Sequence, residues 1–525
     1  FGLSNVPIDG VLVSRIKINE KKRKYNDILG EGIHKFLRLP PSFEIMGDCG
    51  AWGYIDQELP PFKTAEVLEF YVRCGFSYGV SIDHLIVPAH FEQREERWKI
   101  TLDNAREMFE LWQSTDKYMR SIRVIGVAQG WDVSSYRKAV RELLRIGYDY
   151  IGLGGLARAP TGKSALGDGK SLSNVLAGVG KEVRLWTQER RRIDIHLFGV
   201  ARPQILPELV KNGITSFDSA SFLRRAWLGA QNNYHSLDGT GYSAIRIPQA
   251  EVSPVLKRNT NTATGLTTME QRALDAVRAY DRQTSSLEET LHAILVYDKA
   301  IGEKRNFENH YRRTLAEKPW EKCLCPICQL LGVEVIIFRG NNRNRRRGFH
   351  NTFVFYNILR QSAPRTLVFT NCTHEKDQSS GLLPAYQRFS SSPIFKTFWN
   401  NVYDLPVEIM VLSAKFGLID WSKRIPYYDY TMQQDDVLKL VEELKERLRR
   451  YDRIFFIGLG LYRDIVSRAK DETGLNIEIF PETELIEREK LNILEYTKQT
   501  KDFRKAIISV IPEKCRPENL AIDTG

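Results

Sequence analysis

The sequence contains no run of 18 apolar residues, which excludes a membrane-spanning helix from the expected fold. Its first ten residues, FGLSNVPIDG, lack the basic, apolar and small-residue regions of a secretory signal peptide, so we expect none. A G-x-x-x-x-G-K-[ST] phosphate loop is also absent, and we expect no nucleotide cofactor. The composition, 42% hydrophobic and 27% charged, is typical of a globular chain. Together these features predict a cytoplasmic protein that does not bind a membrane.

Cysteine is scarce, and its distribution excludes a disulfide framework. There are seven cysteines, an odd number, and three of them fall within the six residues Cys323–Cys328. Secreted disulfide scaffolds have even, dispersed cysteines. The pattern indicates a reducing compartment and a metal site.

The net charge of +11 is unevenly distributed along the chain. From Arg365 to the end, 24 basic residues face 25 acidic ones, whereas the first 364 residues hold 52 basic and 40 acidic residues. A polyanion, if one binds, should therefore bind mainly the first part.

Short apolar runs alternate with helical segments over the first 220 residues, a pattern that predicts a parallel sheet with crossover helices. Both a doubly wound sheet and a (β/α)8 barrel satisfy this pattern. Polar or glycine residues end five of the runs, and they could be simple caps and turns. In a barrel, however, these ends converge on one mouth, where active sites lie. These residues are Asp48, Asp83, Gln129, Gly154 and Asp218.

The domain organisation that we predict has three parts. Residues 1–250 form the (β/α) barrel core, residues 251–364 form a helical and zinc-binding part that completes the barrel, and residues 365–525 form a separate small α/β domain. In this last segment RTLVFTNC, VEIMVLSAKFG and RIFFIGLG have the character of buried strands.

The cysteine cluster has the spacing of a metal site. Cys323, Cys325 and Cys328 form C-x-C-x-x-C, which can direct three thiolates at one tetrahedral centre. His350, 22 residues further on, is the natural fourth ligand. Three thiolates and an imidazole favour structural Zn²⁺, whereas the competing iron–sulfur cluster would normally require a fourth cysteine.

A dense basic stretch precedes His350. It contains Arg343, Arg345, Arg346 and Arg347. Charge runs are usually solvated loops. Next to a zinc ligand, this one is expected to contact nucleic-acid phosphates.

Four segments, followed by the cysteine cluster, resemble the motifs of the tRNA-guanine transglycosylase superfamily in their order. GDCGAW at 47–52 resembles the family's D-S-G-G-F-Q, GGLA at 154–157 its G-G-L-A, LFGVARP at 197–203 its M-G-V-G-x-P, and GITSFDS at 213–219 its G-I-D-x-F-D. The resemblance covers roughly residues 40–360. It implies a zinc-bearing barrel enzyme that exchanges guanine bases in nucleic acid.

The resemblance also implies a role for each matching residue. Asp218 would be the nucleophile that bonds to C1′, and Asp48 the general acid and base. The guanine-binding residues would be Asp83, Gln129, Gly154, Gly155 and Leu156. Ala51 and Trp52 depart from the family's Gly-Phe, which changes the expected shape of the pocket.

The polymer that is modified is a separate question. LSAKFGL at 412–418 and PYYD at 426–429 resemble an α/β domain fused to divergent transglycosylases. The divergent pocket motif and this domain resemble the DNA-guanine transglycosylases, which insert 7-deazaguanines such as 7-cyano-7-deazaguanine. The expected partners are thus DNA and a 7-deazaguanine base, with accessory proteins left open. A tRNA enzyme and a non-catalytic zinc-bearing nucleic-acid-binding subunit are the alternatives.

Overall fold

A computed structural model describes residues 7–157, 171–187, 190–200, 202–229, 231–252, 263–481, 486–487, 490–491 and 493–517. The chain divides into two compact units, one of Phe1–Asp9 with Ser219–Gln361 and the other of Gly10–Asp218 with Ser362–Gly525. Within the described part of the chain, every helix is too short or too polar to cross a membrane.

The second of these units begins with a seven-stranded parallel sheet in its Gly10–Asp218 part, and each strand pairs with the next along the chain. The order contains no reversal, the feature that distinguishes a doubly wound sheet, so the described strands fit the singly wound alternative. Six of these strands coincide with the short apolar runs SFEIMGD, YGVSIDHL, RVIGVAQG, YIGLGGLA, IHLFGVA and ITSFDSA, whereas the first strand was not predicted. The strands are β1 Gly10–Ser14, β2 Glu44–Asp48, β3 Tyr78–Val80, β4 Arg123–Ala128, β5 Tyr150–Leu153, β6 Asp194–Leu197 and β7 Ser216–Phe217.

Helices connect these strands, and helix Val133–Ile146 illustrates why the sequence forms them. The Asp132 side chain accepts from the Ser135 N–H in a capping box, and Gly147 ends the helix with a φ of 120°. The apolar face of this helix, formed by Tyr136, Val140, Leu143 and Leu144, is buried. The helices of this part are Arg15–Asn19, Lys22–Glu31, Ile33–Leu37, Thr64–Cys74, Arg94–Gln113, Asp116–Ser121, Val133–Ile146, Leu172–Thr187 and Leu206–Lys211, with 3₁₀ turns Ala51–Gly53, Pro88–Gln93 and Pro203–Ile205.

The C-terminal ends of the strands lie at one edge of this sheet, because all seven are parallel. Asp48 ends β2, Gln129 follows β4, Gly154 follows β5 and Asp218 follows β7, while Asp83 lies three residues beyond β3. Five buried side chains from β2 to β5 pack together in one hydrophobic cluster of this sheet: Met46, Val80, Ile125, Val127 and Tyr150.

A second sheet, of five strands, follows Ser362 in the same unit; from one edge to the other its strands are Gly417–Asp420, Glu408–Ser413, Thr366–Asn371, Arg453–Ile457 and Ile477–Phe480. The strands are β12 Thr366–Asn371, β14 Glu408–Ser413, β15 Gly417–Asp420, β17 Arg453–Ile457 and β18 Ile477–Phe480, and only β15 is antiparallel to its neighbour. The three predicted buried strands are β12, β14 and β17. Apolar clusters cover both faces. The helices are Ala385–Arg388, Pro393–Val402, Gln434–Arg447, Leu461–Thr473 and Ile493–Val510, with 3₁₀ turns Leu448–Arg450 and Glu513–Cys515.

Short two-stranded pairings accompany this second sheet. They are β13 Leu383–Pro384 with β16 Arg424–Ile425, and β19 Ile486–Glu487 with β20 Lys490–Leu491.

The C-terminal segment packs against the starting ends of the first sheet's strands. Arg123, the first residue of β4, forms an ion pair with Asp194 at 2.7 Å and stacks over Trp421 at 5.1 Å. The Arg192 guanidinium donates to the carbonyls of Leu405 and Val407, at 3.0 and 2.6 Å. The 365–525 segment therefore lies at the end of the sheet opposite the edge that carries Asp48 and Asp218.

The unit of Ser219–Gln361 contains short strands and six helices among its described residues. The strands are β8 Tyr234–His235, β9 Gly241–Tyr242, β10 Ile245–Arg246 and β11 Ile337–Phe338. The helices are Ser221–Leu228, Ala263–Asp281, Leu287–Ala300, Glu308–Glu317, Pro326–Leu331 and Gly340–Ser362, with 3₁₀ turns Ala250–Val252 and Gly332–Ile336. Its core includes Cys323, Cys325 and Cys328.

Candidate active site and metal centre

Three carboxylates come together at the C-terminal edge of the first sheet. Burial, together with the charges of Asp83 and Asp218, raises the pKa of Asp48 to about 8, against the lowering effect of donation from the backbone N–H groups of Gly50 and Cys49. Asp83 and Asp218 therefore lie within electrostatic reach of Asp48. A carboxyl with this pKa is mostly protonated at neutral pH, the form that a general acid requires.

Asp83 and Gln129 form a buried pair. Gln129 Nε2 donates to Asp83 Oδ2 at 2.7 Å, and both side chains are almost completely buried. Burial raises the pKa of Asp83 to about 6, against the lowering effect of the Gln129 hydrogen bond. Asp83 is thus mostly ionised at neutral pH. Gln129 Oε1 is buried and has no hydrogen-bond partner among the described residues, so it can accept from a ligand.

The residues after β5 must be glycines because Gln129 lies directly against them. A Cβ at Gly154 would be 2.3 Å from Gln129 Nε2, and one at Gly155 would be 2.7 Å from Gln129 Oε1. Gly155 also has a φ of 73°, which a larger residue rarely adopts. The Tyr136 hydroxyl donates to the Gly154 carbonyl at 2.7 Å. Leu156 is buried, so its side chain belongs to the core.

Asp218 is held on one side by two groups from β6 and the loop after it. The Gly199 N–H donates to Asp218 Oδ1 at 2.8 Å, and His196 Nε2 lies 3.3 Å from the same oxygen. The Asp218 side chain is 31% exposed and that of His196 only 4%. Sequence reasoning missed His196. The signal was an ionisable residue within the apolar run IHLFGVA.

The predicted metal ligands form a buried cluster. Cys323, Cys325 and Cys328 Sγ lie 3.5, 3.4 and 3.3 Å from His350 Nδ1. In a tetrahedral zinc site, bonds of about 2.3 Å to sulfur and about 2.0 Å to nitrogen separate these atoms by about 3.5 Å. The four ligand atoms lie within 4.8 Å of one another. The cluster can therefore hold a metal ion, and its donors and spacing fit structural zinc.

The surroundings of the cluster orient the histidine. His350 Nε2 contacts the His235 carbonyl at 2.8 Å, which leaves Nδ1 to face the sulfurs. The Tyr234 ring stacks on the imidazole at 3.9 Å, and its hydroxyl lies 3.3 Å from Cys328 Sγ. A metal ion held by these four protein ligands would have no open position for a reacting water, which fits a structural site.

The basic stretch lies in helix Gly340–Ser362, and its arginines have different environments. Arg347 is fully buried and donates to the carbonyls of Val335 and Ala226, at 3.2 and 2.6 Å, so it supports the fold and cannot reach a phosphate. Arg343 forms an ion pair with Glu334 at 2.7 Å.

Arg345 and Arg346, in contrast, are exposed. Of the four predicted phosphate-binding arginines, these two have side chains that are available at the surface.

Comparison with known proteins finds guanine transglycosylases among the relatives of this chain. The chain is 35% identical over 381 residues to a DNA-guanine transglycosylase of Salmonella montevideo, which covers 67% of this chain and 86% of that protein. The chain belongs to the DNA-guanine transglycosylase family. No family model matches the sequence.

Archaeal tRNA enzymes are more distant relatives of this transglycosylase. It is 24% identical over 202 residues to a tRNA-guanine(15) transglycosylase of Nanoarchaeum equitans, covering 38% of this chain and 44% of that protein. The same named enzyme of Thermococcus kodakarensis is 29% identical over 211 residues, 40% of this chain and 32% of the relative. The chain thus spans less than half of these archaeal relatives.

Membership confirms the predicted resemblance and the predicted class of enzyme, a pentosyltransferase.

Proposed function

We propose that this transglycosylase replaces guanine in DNA with a 7-deazaguanine base, 7-cyano-7-deazaguanine being the base expected. The observation that carries the proposal is the convergence of three carboxylates in which one, Asp48, keeps its proton at neutral pH while Asp83 is mostly ionised. A double displacement at a glycosidic carbon requires a proton donor, here Asp48, beside a carboxylate nucleophile, here Asp218, and the ionised Asp83 is left to recognise the base.

In the first displacement, the Asp218 carboxylate attacks C1′ and forms an ester as the bond to guanine breaks. Asp48 gives its proton to the departing guanine. In the second displacement, the incoming base attacks C1′ and releases the Asp218 carboxylate, and the ionised Asp48 accepts the proton that this base loses. The ester keeps the sugar bound to the enzyme between the two displacements, until the incoming base attacks C1′.

Asp83 is suited to recognise guanine. An ionised carboxylate can accept from both N1–H and the exocyclic amine, and the hydrogen bond from Gln129 fixes the Asp83 side chain. Gln129 Oε1, which is buried without a hydrogen-bond partner among the described residues, supplies a further acceptor. To reach this pocket, the target nucleotide has to leave its stack, which costs a few kcal/mol in duplex DNA.

The name of the Salmonella relative supports DNA as the polymer. Deoxyribose lacks the electron-withdrawing 2′-hydroxyl, so an oxocarbenium-like transition state forms more easily on it than on ribose.

The proposal also includes closure of the seven described strands into an eight-stranded barrel, structural Zn²⁺ at the Cys₃His cluster, and phosphate contacts by Arg345 and Arg346.

Incubation with labelled guanine or 7-cyano-7-deazaguanine, and with either plasmid DNA or tRNA, tests the proposal. We expect label in DNA from the wild-type enzyme and none from the Asp218→Ala variant. Asp103→Asn removes an exposed carboxylate of helix Arg94–Gln113 and serves as a matched control that keeps activity.

Label in tRNA alone would favour the archaeal-type reaction, to which the distant relatives point. Nucleic-acid binding without incorporation, unaffected by Asp218→Ala, would favour a non-catalytic binding subunit.

A further inference from the structure

Both described hydrogen-bond contacts of the Asp218 carboxylate are made to the same oxygen. The Gly199 N–H and His196 Nε2 approach Oδ1 at 2.8 and 3.3 Å. Among the described residues, the structure gives no such partner for Oδ2. A carboxylate held in this way presents one defined oxygen to an incoming atom.

A chain of polar side chains continues from His196 into the sheet. His196 Nδ1 lies 2.8 Å from Ser216 Oγ, and Ser216 Oγ lies 2.6 Å from the Tyr150 hydroxyl. Tyr150, His196 and Ser216 come from β5, β6 and β7, three adjacent strands. Tyr150 and His196 are buried, which limits the competition from water.

The direction of the hydrogen bonds in this series follows from the protonation state of Tyr150. Burial raises the pKa of Tyr150 above its ordinary value, so this hydroxyl keeps its proton and can donate to Ser216. Ser216 can then donate to His196 Nδ1. In a neutral imidazole this arrangement leaves the proton on Nε2, which faces Asp218.

We propose that Tyr150, Ser216 and His196 form a positioning chain that holds Asp218 Oδ1 and leaves Oδ2 to attack C1′. This inference rests on the proposed role of Asp218. These hydrogen bonds transfer no proton. They fix the tautomer of the His196 imidazole, and the imidazole in turn fixes the orientation of the Asp218 carboxylate. In the second displacement, the same donors at Oδ1 stabilise the charge that returns to Asp218 as the ester breaks.

Two substitutions of His196 test whether this residue acts as a hydrogen-bond donor to Asp218 or only fills space. In His196→Gln the amide nitrogen can occupy the position of Nε2 and donate to Asp218, whereas the shorter amide of His196→Asn cannot reach it. We expect His196→Asn to lower kcat about 10- to 100-fold with an unchanged KM for DNA. His196→Gln should retain more of kcat. The same change at the exposed His292, His292→Asn, is the control.

Equal kcat losses for the two variants, or a wild-type kcat in His196→Asn, would overturn the proposal. ¹⁵N NMR of histidine-labelled protein gives a readout that does not depend on activity. The wild-type spectrum should show His196 as the Nε2–H tautomer, and Ser216→Ala should reduce the population of that tautomer. An Nδ1–H tautomer in the wild type would refute the proposed positioning role of Tyr150, Ser216 and His196 even if guanine exchange is confirmed. Failure of guanine exchange in the wild type, with the predicted tautomer present, would refute the proposed function instead.

Discussion

The pH dependence of guanine exchange is set by two carboxyl groups whose pKa values are raised to different extents. Asp48 must be protonated to help guanine leave, and its pKa of about 8 means that this form is lost as the pH rises through 8. Asp83 must be ionised to bind guanine, and its pKa of about 6 means that this form is lost as the pH falls through 6. The two requirements together predict a bell-shaped profile with its maximum near neutral pH.

The profile should be measured as kcat/KM for DNA, with labelled guanine in excess, because DNA reacts with the free enzyme in a double displacement and this quantity reports the groups of that form. On the acid limb, below about pH 6, and on the alkaline limb, above about pH 8, we expect kcat/KM to fall about tenfold per pH unit. Asp83→Asn removes a negative charge that raises the pKa of Asp48, so this variant, although weaker, should lose activity at a lower pH on the alkaline side.

Asp103→Asn should have the wild-type profile. A kcat/KM that stays constant from pH 7 to 9, or an alkaline limb that does not move in Asp83→Asn, would refute the assignment of Asp48 as the general acid.

Three further predictions concern the unit of Ser219–Gln361. Removal of zinc by a chelator, or Cys325→Ser, should lower the melting temperature, and added Zn²⁺ should restore it only in the chelated wild type. Arg345→Ala with Arg346→Ala should weaken DNA binding and reduce the slope of log K against log[salt] by about 2, with an unchanged melting temperature; an unchanged slope would exclude phosphate contacts. Arg347→Ala should lower the free energy of unfolding by about 3 kcal/mol, since it leaves buried carbonyls without donors, and a loss under about 1 kcal/mol would contradict that role.

The sequence predicted the sites whose residues are close together in the chain or end a strand. The metal ligands could be found because C-x-C-x-x-C spacing is itself a geometric constraint. Asp48, Asp83 and Asp218 could be grouped because the ends of parallel strands share one edge of a sheet.

Side-chain environment could not be predicted in the same way. The run Arg343–Arg347 is basic except for Asn344, yet Arg347 is buried while Arg345 is exposed, because one face of the helix packs into the unit. His196 was missed because its contact with Asp218 depends on the pairing of β6 with β7. Strand order likewise depends on pairing between distant segments, which periodicity does not report.

The most direct test of the account is to trap the covalent intermediate. The enzyme is incubated with DNA and no incoming base, denatured and digested, and the cross-linked peptide is identified by mass spectrometry. The account predicts one adduct, between Asp218 and a deoxyribose whose guanine has been lost. It would be contradicted by an adduct on another residue, by an adduct with tRNA alone, or by guanine exchange into DNA that continues in the Asp218→Ala variant.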